Sequence, residues 1–143
     1  MSIFNLDNFV EIKLYYVLKK VNGINRLIIV EDSKAEKMLE NEIERKSVQI
    51  LNTRWKPLTW KEQNEVMKLS SQIDATTGES QFDFVAYRDA IIKKCLKEWD
   101  ARENGQVVPV TPQKIDSLPA TVATSLFKKF EEISTYTEEE IKN

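Results

Sequence analysis

The chain has 143 residues, which fits one domain able to bury about 68–70% of its unfolded surface. It contains no histidine, one cysteine (Cys95) and three glycines, at 23, 78 and 105. That excludes Ser-His-Asp and Cys-His catalysis, an H-E-x-x-H zinc site, an intrachain disulfide and both glycine-rich phosphate loops. The net charge is −2, with +2 on residues 1–70 and −4 on residues 71–143, so neither half has the basic footprint of a nucleic-acid binder. No apolar run approaches the ~20 residues of a membrane span. The opening MSIFNLDNF has neither the basic nor the apolar region of a signal peptide. The expectation is a soluble cytosolic protein with a reduced thiol, no cofactor, and no nucleic-acid or membrane partner.

Val10–Val21 and Ile24–Val30 are rich in β-branched and aromatic residues and are separated by Asn22-Gly23. Asn-Gly tolerates the two positive φ angles of a type I′ turn, so these runs predict a β-hairpin. A helix through Phe9–Lys20 is the rival reading, because Leu14, Val17, Leu18 and Val21 also fit a helical stripe. Asp32-Ser33 then opens a helix in which Ser33 and Glu36 form a capping box and Ala35, Met38, Leu39 and Ile43 make the apolar face. Val48–Leu51 reads as a third short strand, completing an antiparallel β-β-α-β unit.

Arg54–Leu58 reads as a connector, and Thr59-Trp60-Lys61-Glu62 as a second capping box that starts a helix running to Ser71. Residues 72–80 form a polar loop, the segment expected to be most mobile. Phe84, Tyr87, Ile91, Cys95, Leu96 and Trp99 recur at helical spacing and predict one long helix from Asp83 to Asp100. Val107–Val110 reads as extended, and Thr111-Pro112 as an N-cap with proline at the first helical position. A last helix carries Leu118, Val122, Leu126, Phe130 and Ile133, and residues 136–143 form an acidic, fraying tail. The expected fold class is α+β: a small N-terminal antiparallel hairpin or sheet with one helix (1–54), then a predominantly α-helical bundle (55–143), together one compact domain.

The acid–base candidates are the carboxylate pairs Asp83 with Asp89 and Asp74 with Glu79. Catalysis needs such a pair in a pocket that splits its pKa values, whereas these fall on a loop or a polar helix face and read as solvated. The run Glu138–Glu140 reads the same way, and no calcium-loop spacing of carboxylates is present. Cys95 lies on an apolar stripe and reads as structural. Trp55 and Trp60 flank a junction; cementing the two parts together is favoured over anchoring a partner, and stacking nucleic-acid bases is disfavoured by the acidic charge.

The stretch from Trp55 to Val66, the run Tyr87-Arg88…Cys95-Leu96…Trp99, and Val107–Pro112 followed by Ile115-Asp-Ser-Leu-Pro119 resemble the tail assembly chaperones of tailed bacteriophages. The resemblance covers about residues 55–133 and rests on hydrophobic and proline positions. It implies a non-enzymatic protein of the host cytoplasm, absent from the mature virion, that binds the tape measure protein while tail tube subunits polymerise around it. A homo-oligomer is also compatible. Implied partner-binding residues are Trp55, Trp60, Leu118, Val122, Leu126 and Phe130. The codons of Ile141-Lys142-Asn143 permit a slippery run, in keeping with the frameshift-extended forms common in that family. The alternative is a small structural virion protein of the neck, tail or baseplate.

Overall fold

A computed structural model describes residues 2–4 and 8–134; the acidic tail and the codon-level expectation at 141–143 fall outside them. The sheet starts with β1 (Val10–Val21) and β2 (Ile24–Val30), joined by the two-residue Asn22-Gly23 turn. Asn22 and Gly23 have φ of 54° and 79°, the paired positive values a type I′ turn demands. The hairpin reading thus holds over the helical one. β3 (Val48–Trp55) pairs antiparallel with the other edge of β1 and runs four residues beyond the expected Leu51. Trp55, assigned to a connector by the sequence, is the last residue of this strand.

α1 (Asp32–Glu40) lies across one face of the sheet, where Val17, Val30, Ala35 and Val48 form a small buried cluster flanked by Tyr15, Met38 and Leu39. The capping box expected at its start is absent. Glu31 is the N-cap and supplies no side-chain hydrogen bond, because the helix begins one residue before Ser33 and places that serine inside its first turn. The helix ends at Glu40, and the Asn41 side chain accepts the Ile43 and Glu44 amides (2.9 and 3.2 Å) at the entry to a 3₁₀ turn. Ile43 therefore leaves the apolar face and is exposed.

The opposite face carries the main core. α2 (Trp60–Leu69) opens on the expected capping box: Thr59 Oγ1 accepts the Glu62 amide at 3.2 Å, and Glu62 Oε1 accepts the Thr59 amide at 3.0 Å. The polar loop is instead a hairpin, β4 (Ser71–Ile73) with β5 (Ser80–Phe82). Its turn is tied by the Asp74 carboxylate, which accepts the Thr76 amide at 2.8 Å and is held below the usual carboxylate range by that bond. α3 (Phe84–Cys95) follows, with Asp83 as its N-cap.

The largest departure comes next. The long helix stops at Cys95, and Leu96–Trp99 is a strand, β6, paired antiparallel with β3 through a β-bulge at Arg54/Trp55. The sheet is thus four-stranded and wholly antiparallel, in the order β2-β1-β3-β6. An unpaired edge on β3 would strand backbone donors and acceptors beside a core, a cost that outweighs the weak helical preference of Leu-Lys-Glu-Trp. A second small hairpin, β7 (Arg102–Glu103) with β8 (Gln106–Val107), turns on Asn104-Gly105 with the same positive φ pair, 53° and 79°. α4 (Pro112–Asp116) has the expected Thr111 cap, and α5 (Ala120–Ser134) closes the described chain.

The expected N-terminal sheet followed by a helical bundle is therefore corrected. Over the described residues the fold is mixed α/β, with five α-helices, a four-stranded antiparallel sheet, and strands dominating the N-terminal half. Among the described residues, the C-terminal segment is not a separate bundle: it donates an edge strand to the sheet, α5 packs on β1 and β2, and α2 and α4 pack against α3. The main core joins Ile12, Leu14, Leu51 and Trp55 with Val66, Ile91, Cys95, Trp99, Val122, Leu126 and Phe130.

Candidate functional site

The structure separates the implied partner-binding residues sharply. Trp55 is wholly buried and stacks on Phe130 with ring centroids 4.8 Å apart. Its indole Nε1 donates to Thr53 Oγ1 at 2.7 Å, and that hydroxyl donates to the Ile12 carbonyl at 2.8 Å. Val122, Leu126 and Phe130 are buried in the same core. The periodic stripe that suggested a groove is the stripe with which α5 covers the sheet, so these four side chains are unavailable to a partner while the fold holds. Leu118 is half-buried against the core. Trp60 alone of the six stands in solvent, 76% exposed.

Trp60 is exposed because the cap at Thr59 fixes where α2 begins, and α2 buries only Val66 before its C-cap, Ser70. Seven positions on, Met67 lies on the same helical stripe and is also exposed. Leu69 at the end of α2, Ile73 and Phe82 on the β4–β5 hairpin, and Phe84 and Val85 at the start of α3 extend this exposed apolar character along the chain. In the hairpin, Ser71 faces Phe82 and Ile73 faces Ser80, which puts Ile73 and Phe82 on one side. The hairpin is anchored to both helices: the Asp83 amide donates to the Ser70 carbonyl at 2.6 Å, and Gln72 Nε2 donates to the Asp83 carboxylate at 2.6 Å.

Aromatic contacts connect this surface to the core. Tyr87 sits between Phe82 (5.3 Å between centroids) and Phe127 (6.3 Å, edge-on), and Phe84 meets Phe127 edge-on at 5.9 Å. The Tyr87 hydroxyl donates to Glu131 Oε1 at 2.9 Å, and burial together with that carboxylate pushes the phenol up to about 12. Across the α2–α3 seam, Lys94 and Glu65 pair at 2.7 Å. The ammonium draws the Glu65 carboxylate below the usual range. The segment from Trp60 to Val85 thus carries a series of exposed apolar and aromatic side chains with charged groups beside them.

No acid–base pair forms at the sequence candidates. Asp83 is spent on the α3 amide of Ala86, Asp89 on Lys93, and Asp74 on its own turn. Cys95 is wholly buried, and burial pushes its thiol up to about 12, so it is no nucleophile at neutral pH. Among the described residues, no cluster of carboxylates or thiols can hold a metal ion, and no helix is long and apolar enough to cross a membrane. On the sheet's α1 side, Arg54 pairs with Glu98 at 3.2 Å and the Asp100 carboxylate accepts the Asn52 amide at 2.9 Å.

Sequence reasoning missed Met67, Leu69, Ile73, Phe82 and Val85, and read Phe84 as core. One signal was present: Ser71-Gln72-Ile73 and Ser80-Gln81-Phe82 are matched triplets around a turn-forming Asp-Ala-Thr-Thr-Gly. No protein-family model matches the chain, and neither a curated protein nor a solved structure is significantly similar to it.

Proposed function

We propose that this chain is a non-enzymatic tail assembly chaperone of a tailed bacteriophage, which binds the tape measure protein and keeps it soluble while tail tube subunits assemble. The observation that carries the reading is the series of exposed apolar side chains from Trp60 to Val85, set on anchored elements within the stretch that resembles the family. A long helical client exposes amphipathic faces that aggregate. A relief offering Trp60, Met67, Ile73, Phe82 and Phe84 covers such faces by burying apolar area against them. Such a chaperone works in the host cytoplasm and leaves before the particle is complete. It needs no cofactor.

The test is co-expression with the long helical gene product encoded nearby, scoring that product's solubility with and without this chain. Rescue by the native chain, lost with Trp60→Lys or Phe82→Lys, is the expected result. Absence of rescue overturns the reading. Recovery of the chain from purified particles at structural copy number instead identifies a virion component.

A further inference from the structure

The sheet treats its open edges unequally. β6 is four residues long and its pairing is broken by the bulge in β3, which blunts that edge. Where β2 stops short of the N-terminal half of β1, Lys129 of α5 donates to the Lys13 carbonyl at 2.8 Å. The outer edge of β2 has no such device. It is seven residues of regular strand, Ile-Asn-Arg-Leu-Ile-Ile-Val, with no proline, no bulge and one cation, and among the described residues no strand pairs with it. A long apolar edge with unpaired amides and carbonyls is a template for a further strand.

We infer that the outer edge of β2 pairs antiparallel with β2 of a second copy of this chain, joining two four-stranded sheets into one. This inference is independent of the proposed function. Charge selects the occupant and its direction. The hairpin tip is basic, with Lys19, Lys20 and Arg26, whereas the base of β2 runs into Glu31 and Asp32, the latter paired with Lys129; along α1, Lys34 and Lys37 offset Glu36 and Glu40. Antiparallel pairing lays the basic tip of each copy beside the acidic base of the other. An in-register parallel pairing would set Arg26 against itself, which is destabilising.

Polarity fixes the register. With Ile28 at the two-fold axis, Leu27 of one copy faces Ile29 of the other, and Arg26 faces Val30. Leu27 and Ile29 lie on the main-core side, where both pack against the core. Ile28, 40% exposed, lies on the α1 side with buried Val30. Both faces of the seam are therefore apolar at its centre and charged only at its ends, an isologous contact that closes after two copies.

Two measurements on the full chain test this. In sedimentation velocity across a dilution series, the native chain is expected to pass from dimer to monomer. Hydrogen exchange at the β2 amides should be protected in proportion to the dimer present. Ile28→Lys places two ammonium groups at the centre of the seam and should raise the dissociation constant by about a hundredfold or more. Its far-UV circular dichroism should be unchanged, and Trp60→Lys should leave the dimer intact. A native chain that is monomeric throughout overturns the inference. So does β2 protection independent of concentration, or a dimer that survives Ile28→Lys.

Discussion

The two faces of the sheet are covered in different ways. On one, α1 closes a small cluster whose buried members, Val17, Val30, Ala35 and Val48, lie within 32 residues of one another in the chain. On the other, Ile12 and Leu14 meet Leu126, Phe127 and Phe130, more than a hundred residues later. The local face is built by the first four elements alone and needs only the β-β-α-β pattern. The main face has to gather strand, helix and edge-strand residues from the whole chain, and it takes nearly all the fully buried side chains, Trp55, Leu14, Leu126, Val66 and Cys95 among them. Stability should therefore reside chiefly on the main face.

The strongest way to break that comparison is to truncate both faces. Trp55→Ala should cost about 3–5 kcal/mol and Leu126→Ala about 2–5 kcal/mol in urea unfolding, since each leaves a cavity in a fully buried site. Val48→Ala, on the α1 face, removes two methyl groups and should cost only about 1–2 kcal/mol. Equal losses would show that the faces are energetically alike. Alkaline unfolding sharpens the same contrast. Cys95 and Tyr87, both against the main core, are each held protonated to about 12, above ordinary values of 9.0 and 10.0. Their contribution is complete below the ordinary values and is lost as pH rises through about 12, because the unfolded chain ionises first. Cys95→Ala combined with Tyr87→Phe should flatten the loss of melting temperature above pH 9.

Smaller effects probe single hydrogen bonds. Thr53→Val keeps the shape of a buried residue but leaves the Trp55 indole N–H without an acceptor, so thermal melts should show a loss of about 1–3 kcal/mol. Thr59→Ala removes the hydroxyl that accepts the Glu62 amide, one half of the capping box, and should cost about 0.5–2 kcal/mol. Ser33→Ala at the head of α1 should be close to neutral, because that hydroxyl makes no cap.

The same division governs what could be read in advance. The hairpin at Asn22-Gly23, the cap at Thr59 and the Thr111-Pro112 start involve residues at most a few positions apart, and each appears where expected. Leu96–Trp99 does not, because its helical spacing is real and only the vacant edge of β3 makes a strand preferable. The surface was less legible than the core. Trp55 and Trp60 look equivalent in sequence, five positions apart on either side of Pro57. One is buried under Phe130 and the other stands in solvent. The stripe Val122, Leu126, Phe130 has the spacing of a helical face but carries no statement of what covers it, and the sheet does.

The absence of histidine ruled out His-dependent triads, and the spacing of the three glycines ruled out the two glycine-rich phosphate loops. The Asn-Gly and Thr-Pro pairs set turns and helix starts, because those depend on backbone angles and hydrogen bonds within a few residues. Tertiary structure alone decided where α3 ends, which tryptophan is exposed, and how the sheet's edges are paired. Each of those outcomes depends on pairing and burial between residues distant in the chain.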